Sequence, residues 1–195
     1  MRDGLARWQG RALDDPALRP VRREALHITL CFLGYHAEKA IPRIAELVTA
    51  AASGPVEIRL DPEPVPIPGG RPRLYAIGAE SEAAIALQAG LSEALERERL
   101  YEPEKRKFWP HLTVARVRSE RRPPERGERR GKGRPKRISE PPGKLPRALT
   151  EPFGAVRISL YRSNLKPTGA EYELLAGDDL PSPDGDQKGD PENGR

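Results

Sequence analysis

Two histidines of this chain open the same four-residue pattern. The patterns are His27-Ile28-Thr29-Leu30 and His111-Leu112-Thr113-Val114, and in each of them apolar residues alternate with the histidine and the threonine. Imidazole titrates near neutral pH, so one of a pair can start neutral and the other protonated. Such a pair can act as base and acid in one displacement at phosphorus, while threonine hydroxyls donate hydrogen bonds to the phosphate oxygens. The two patterns therefore indicate phosphate-ester chemistry.

These residues can meet only if each pattern lies on an extended strand, where alternate side chains share a face. The histidine and the threonine of each pattern then share one side, and the two apolar residues point into a core. We predict strands at residues 25–32 and 111–117 for this reason. If the two strands lie side by side, two imidazoles and two hydroxyls line one cleft. Arg116, three residues after Thr113, is near enough to assist.

Each pattern on its own could be an ordinary surface histidine on a strand. The chain has three histidines, however, and two of them open the same pattern on predicted strands, which favours a shared role. The third, His36, follows Gly34 in a predicted turn and is interpreted as a surface residue. No metal or other cofactor is expected, because His-x-Thr supplies too few ligands and no His, Cys or Asp cluster with ligand spacing accompanies it.

The elements around these patterns predict an α+β fold, since helices are separate from short strands joined by hairpins. We predict helices at residues 5–13, 38–52 and 81–100, the last capped by Ser81, and further strands at 56–60, 73–79, 153–162 and 170–175. A proline-rich stretch from Pro62 to Gly70 predicts a loop, and residues 167–169 predict a hairpin turn. Residues 1–177 are interpreted as one domain, with a basic disordered insertion at 118–147, followed by a disordered acidic tail at 178–195.

Charge and composition restrict the class of protein. The formal net charge is +5, yet residues 116–147 hold 13 Lys and Arg against 4 Asp and Glu, so the remaining chain is mildly acidic. Such a basic segment is a candidate contact for a polyanion, or else a solvated loop without a partner. The single cysteine, Cys31, excludes an internal disulfide, and no apolar run is long enough to span a bilayer. We expect a cytoplasmic monomer with no membrane partner.

Longer stretches around both patterns resemble the two-histidine (2H) phosphoesterases, in particular the RNA 2′,3′-cyclic phosphodiesterases, also named 2′-5′ RNA ligases. The matching stretches are ALHITLCFLG (25–34), RPRLYAIG (71–78), FWPHLTVAR (108–116) and VRISLYRSNLKPTGAEYELL (156–175). The resemblance covers residues 5–175. It implies a bilobal fold in which two antiparallel sheets flank a central cleft, helices lie outside, and each lobe contributes one His-x-Thr.

The resemblance also implies hydrolysis of an RNA 2′,3′-cyclic phosphodiester to a 2′-phosphomonoester, with weak 2′-5′ ligation as the reverse reaction. Carried over by position, His27 is the general acid that protonates the departing 3′ oxygen, and His111 is the general base that activates water. Thr29, Thr113 and Arg116 hold the phosphate. Two alternatives remain open, namely a cyclic phosphodiesterase for small nucleotides and an RNA-binding module whose catalytic site is idle.

Two features depart from the family pattern. Members usually begin with an apolar strand, whereas this chain begins Met1-Arg2-Asp3, so either the native start lies upstream or the protein tolerates the loss of a strand. The basic insertion is longer than usual, and we expect it to overhang the cleft and attract RNA. Four aromatic side chains are candidates for stacking on a base or, equally, for the core: Phe32, Tyr75, Phe108 and Trp109.

Overall fold

The computed structural model describes residues 1–120, 133–166 and 169–183. Its helices are α1 (Arg2–Ala12), α2 (Ile41–Ala50) and α3 (Glu82–Arg97), and its strands are β1 (Leu18–Pro20), β2 (Glu57–Ile67), β3 (Leu74–Glu80), β4 (His111–Val117), β5 (Ser119–Glu120), β6 (Arg134–Pro135), β7 (Phe153–Gly154), β8 (Arg157–Lys166) and β9 (Gly169–Asp179). Every strand pair within these ranges is antiparallel, which confirms the predicted α+β class with antiparallel sheets.

The chain divides into two compact units. The first unit comprises Met1–Phe32, Arg59–Glu80 and Lys107–Pro152, and the second comprises Leu33–Ile58, Ser81–Arg106 and Phe153–Arg195. Each unit has its own buried apolar side chains, with Ile77 and Val114 fully buried in the first and Leu95 fully buried in the second. Both units therefore have a core of their own.

The first unit is built on a sheet in which β1, β4, β3 and β2 follow one another. Helix α1 buries Leu5 and Trp8. The amide of Gln9, also buried, donates to the carbonyls of Val21 (3.0 Å) and Val114 (2.7 Å). Because Val114 lies on β4, this side chain fastens the helix to the strand that carries the second pattern.

Strand β2 continues to Ile67, so the predicted proline-rich loop is wrong for residues 62–67, whereas residues 68–70 lie outside the strands. Pro64 and Pro66 lie in register with Ile77 and Tyr75 of β3. Proline can occupy a strand where its missing N–H would point away from the neighbouring strand. Pro64 and Pro66 are two positions apart in the ladder with β3, so both can face the edge of β2 that does not pair with β3. The Pro62 carbonyl accepts a hydrogen bond from the Leu145 amide (2.8 Å).

In the second unit, α2 packs against α3 and against the hairpin of β8 and β9. Ile44 and Val48 of α2 are buried, as are Leu91 and Leu95 of α3. The Ser81 hydroxyl accepts a hydrogen bond from the Ala84 amide (3.0 Å), which confirms the predicted cap of α3. Within the described ranges, no helix combines the length and the apolar character needed to cross a bilayer.

The hairpin at the end of the chain is longer than predicted. Strand β9 extends to Asp179, where it pairs with Arg157, and the Leu180 amide donates to the Val156 carbonyl (3.0 Å). The prediction of a disordered tail is therefore wrong for residues 178–180, because their backbone continues the ladder of β8. Residues 184–195 of the predicted tail and positions 167 and 168 of the predicted turn lie outside the described residues.

The predicted disordered insertion is largely ordered where it is described. Strands β5 and β6 pair, Leu145 is buried, and the Lys144 carbonyl accepts a hydrogen bond from the Trp8 indole (3.1 Å). The prediction for residues 118–147 is therefore wrong for 118–120 and 133–147, and 121–132 lie outside the described residues. Although this stretch is poor in apolar residues, hydrogen bonds to residues far away in the chain hold it in place.

Asp15 is the main anchor of this stretch. The residue is 5% exposed, and its carboxylate accepts from the Ala17 amide on one oxygen. The other oxygen accepts from the amide and the hydroxyl of Ser139 (both 2.8 Å) and from the Glu140 amide (3.1 Å). These hydrogen bonds lower the pKa of Asp15 to about 2. One carboxylate thus holds two segments that are more than a hundred residues apart in the chain.

We expect Asp15→Asn to lower the melting temperature by roughly 5 °C. The side-chain NH2 of asparagine would replace one carboxylate oxygen, and it cannot accept a hydrogen bond from the N–H groups that face that position. Since the folded pKa is depressed, the carboxylate stabilises the fold above the unfolded pKa, and this contribution is lost as the pH falls toward about 2. The difference between wild type and variant, measured by thermal denaturation, should therefore shrink in acid. Exposed Asp14→Asn is the matched control. Equal melting temperatures for the two variants would contradict the prediction.

Candidate active site

The second pattern lies on β4, as predicted. This strand pairs with β3 along one edge and with β1 along the other. Leu112 and Val114 are buried, while His111 and Thr113 on the opposite face are partly exposed. The alternation of apolar and polar residues therefore directs the histidine and the threonine to the solvent side of a central strand.

The first pattern does not form the predicted strand at residues 25–32. The chain leaves the edge of β4 after Val21, passes through a 3₁₀ turn at Arg23–Ala25, and returns for a single bridge between Ile28 and Leu112. The pairing cannot continue far, because β4 begins at His111 and the preceding Pro110 has no N–H to donate. With so little pairing, Ile28 and Leu30 are only half-buried, although we predicted both in the core.

The single bridge nevertheless brings the two patterns together. The bridge between Ile28 and Leu112 is antiparallel. The residues on either side of it therefore face each other, with His27 opposite Thr113 and Thr29 opposite His111. Side chains that are diagonal neighbours in such a pair lie about 7–8 Å apart at their backbones, close enough for both imidazoles to reach one phosphate. Both patterns belong to the first unit. The expectation that each lobe contributes one of them is therefore wrong, since pairing to β4 places the first pattern beside the second.

Both histidines make the same hydrogen bond through the same nitrogen. Nδ1 of His27 is 2.8 Å from the Ala25 carbonyl, and Nδ1 of His111 is 2.8 Å from the Trp109 carbonyl. A carbonyl can only accept, so Nδ1 carries the proton in both rings. Nε2 is then the ring nitrogen that can accept a proton. The two rings are prepared for acid–base chemistry in the same way.

Electrostatics distinguish His27 from an ordinary histidine. Burial is the main reason why its pKa lies below the usual value, and the Ala25 carbonyl acts in the opposite direction. The positive charges of Arg2, Arg116 and His111 lower the pKa of His27 further. An anion bound among these cations would offset their effect and favour the protonated ring. This combination suits a site that binds phosphate.

Arg116 reaches the face of the site because of a β-bulge. On a regular strand, a residue three positions after Thr113 would point to the opposite face. Here β3 pairs Ala76 with Thr113 but Tyr75 with Ala115, so Val114 is an extra residue on β4. Val114 and Ala115 are consecutive and both fully buried, and Arg116 is exposed. The bulge shifts the alternation by one residue and returns Arg116 to the side of His111 and Thr113.

Two arginines at the site were missed by the sequence analysis. Arg19 on β1 is directly opposite Arg116 in the register, so their side chains share a face. Arg2, the first residue of α1, is near enough to His27 to influence its titration. No local signal marks either of them, because the first depends on strand pairing and the second on how the helix packs.

The four aromatic candidates have different environments. Tyr75 is 4% exposed and belongs to the core, Phe32 is 70% exposed, and Phe108 is partly exposed. Trp109 stacks on the imidazole of His111, so one face of its indole is not available to a base. His36 belongs to the second unit, where its Nε2 lies 2.9 Å from the Leu33 carbonyl. No group of three His, Cys, Asp or Glu residues in the described ranges could hold a metal ion.

Comparison with known proteins identifies the family of this chain. The family model of the 2′-5′ RNA ligase superfamily matches residues 2–129. Among solved structures, TT0787 of Thermus thermophilus is 28% identical, with a TM-score of 0.70 over 92% of this chain and 91% of that one. E. coli LigT complexed with 3′-AMP is 20% identical, with a TM-score of 0.64 over 92% and 90%. No match was found among curated protein sequences. The chain belongs to the 2′-5′ RNA ligase superfamily of two-histidine phosphoesterases, enzymes that act on phosphodiester bonds.

Proposed function

We propose that this protein hydrolyses the 2′,3′-cyclic phosphodiester at the end of an RNA strand to a 2′-phosphomonoester. The observation that carries the proposal is the bridge between Ile28 and Leu112, which sets two His-x-Thr patterns on adjacent backbone segments. A single phosphorus can then be approached by one imidazole from each pattern. Weak 2′-5′ ligation is the reverse of the same reaction.

The reaction needs one proton acceptor and one proton donor. In the assignment that follows from the family, His111 Nε2 takes a proton from water as the water oxygen attacks phosphorus. The bond between phosphorus and the 3′ oxygen breaks, and His27 gives its proton to that oxygen. The products are a 3′-hydroxyl and a 2′-phosphomonoester, and both histidines exchange their protonation states. Positioned acid and base groups of this kind each contribute about 10²–10⁴-fold to a rate.

The phosphate would be held by the other members of the site. The Thr29 and Thr113 hydroxyls are donors on the face of the histidines, and the Arg116 guanidinium adds a positive charge. Charge gathers on the nonbridging oxygens in the transition state, so fixed donors placed before the reaction lower its barrier. Arg19, the cross-strand neighbour of Arg116, extends the positive surface.

An RNA substrate is supported by the positive charge next to β4. The Lys136 amide donates to the Arg118 carbonyl (2.8 Å), which holds the basic stretch against the end of the strand that carries His111. Arg118, Arg134, Lys136 and Arg137 are all exposed. A polyanion with several phosphates gains more from such a surface than a mononucleotide does. This favours RNA over the small cyclic nucleotides that remain the second candidate substrate.

The test compares an RNA oligonucleotide ending in a 2′,3′-cyclic phosphate with a 2′,3′-cyclic mononucleotide, both in EDTA. We expect turnover of both to a 2′-phosphate, identified by ³¹P NMR. The kcat/KM for the oligonucleotide should be higher and should fall more steeply with added salt. Equal kcat/KM values and equal salt dependence would support the small-nucleotide alternative. RNA binding without turnover of either substrate would support an idle RNA-binding module and would overturn the proposal.

A further inference from the structure

Trp109 holds the ring of His111 by a contact that the acid–base scheme does not use. The indole and the imidazole are nearly parallel, with ring centroids 4.5 Å apart and an interplanar angle of 16°. The Trp109 carbonyl also accepts the hydrogen bond of His111 Nδ1. In an extended segment the side chains of residues two apart share a face, and Pro110 between them restricts the backbone. One residue therefore contacts the imidazole through both its ring and its carbonyl.

The neighbouring strands leave space for this arrangement. Gly78 on β3 lies directly opposite His111. A Cβ at position 78 would be 2.0 Å from Asp61 Oδ2 and 3.3 Å from Trp109 Nε1. The carboxylate of Asp61 thus lies over Gly78, on the side of the indole that carries the N–H. Only glycine leaves this space free.

Asp61 comes from an irregular part of β2. The register of β2 against β3 shifts between Leu60 and Pro64, so Asp61 lies in a bulge. Burial and the nearby charge of Glu80 raise the pKa of Asp61. The carboxylate and the indole N–H are thus neighbours beside Gly78.

We propose that Trp109 is a positioning residue for His111, and that Asp61, lying over Gly78, keeps the indole in place. The stacked ring fixes the plane of the imidazole, and hence the direction in which Nε2 points. The inference rests on the proposed function, because it assigns a purpose to the orientation of His111.

The test uses the full chain with Trp109→Leu and Trp109→Phe. Loss of the indole should move the His111 ring-proton resonances downfield in the NMR spectrum, because the ring current of the stack disappears. The His36 resonances serve as the internal control. We expect Trp109→Leu to lower kcat on the cyclic-phosphate oligonucleotide by about 10-fold with a smaller change in KM, because misplacement of a reacting group acts on the chemical step. Trp109→Phe should recover most of the rate, since a flat ring remains.

Gly78→Ala disturbs the stack of Trp109 on His111 while both rings remain chemically unchanged. Its methyl group would overlap the Asp61 carboxylate and also crowd the indole nitrogen (3.3 Å), so kcat should fall in the wild-type background and fall less in an Asp61→Ala background, where only the contact with the indole remains. Unchanged His111 resonances in Trp109→Leu, or shifted resonances with unchanged kcat, would overturn the inference while the proposed function stands. If the wild type turns over no cyclic phosphate, the proposed function fails, and the inference, which rests on it, fails with it.

Discussion

Replacing either His27 or His111 with alanine should lower kcat on a 2′,3′-cyclic-phosphate oligonucleotide by about 10³-fold, because in the proposed reaction each imidazole performs one of the two proton transfers. The double variant should be little slower than the single variants. Once one proton transfer is lost, the displacement is no longer concerted, and the second imidazole has little left to contribute. Initial rates under saturating substrate, measured for the three variants, test both expectations.

His36→Ala is the matched control for this experiment. It removes the third imidazole of the chain, which lies in the second unit and does not belong to the candidate site. We expect its kcat to equal that of the wild type. Melting temperatures of all variants establish that they are folded. Turnover within about 10-fold of wild type in a folded His27→Ala or His111→Ala protein would contradict the paired roles.

A substrate with a sulfur leaving group should show which histidine is the general acid and which is the general base. If sulfur replaces the 3′ oxygen of the cyclic phosphate, the leaving group departs as a thiolate and needs no proton, since thiols are far more acidic than alcohols. With His27 as the general acid, His27→Ala should regain at least about 10² of its lost rate on the sulfur substrate. His111→Ala should remain about 10³-fold slow, because water must still lose a proton. The converse result would exchange the two assignments.

Because the pKa of His27 is lowered, the pH profiles with the oxygen and the sulfur substrate also test whether His27 is the general acid. A group that must be protonated loses activity as the pH rises through its pKa, and burial places the pKa of His27 below the usual histidine value of about 6.5. If His27 is the acid, the alkaline limb of the kcat/KM profile should therefore lie below that pH with the oxygen substrate and disappear with the sulfur substrate. In the substrate complex, the charge of the phosphate offsets the effect of Arg2 and Arg116, so the alkaline limb of kcat itself should lie higher.

Elements whose signals are local were predictable from the sequence. Helix α3 begins after Ser81 as predicted, because the cap is a property of a few adjacent residues. Strand β4 has the predicted bounds, because its apolar residues alternate and its neighbours pair with it on both edges. The His-x-Thr patterns could be recognised for the same reason, since each lies within four residues of the chain.

The differences arise where the structure depends on distant residues. The segment around His27 has strand composition but only one backbone partner on β4 within the described ranges, so it forms a bridge instead of a strand. Residues 133–147 have the composition of a disordered loop, yet Asp15 anchors them from the other end of the chain. The stack of Trp109 on His111 likewise depends on the missing side chain at Gly78. None of these partners is visible in a short stretch of sequence.

The extra residue in β4 affects how related chains should be compared. The interval of three residues between Thr113 and Arg116 places both side chains on one face only because Val114 is accommodated as a bulge. A homologue with the interval shortened by one would reach the same arrangement on a regular strand. An alignment without gaps would then pair a functional arginine with an unrelated position. Anion-binding residues of related chains should therefore be matched in this region by their place in the backbone structure. Their distance from the motif, counted in residues, differs between strands with and without the bulge.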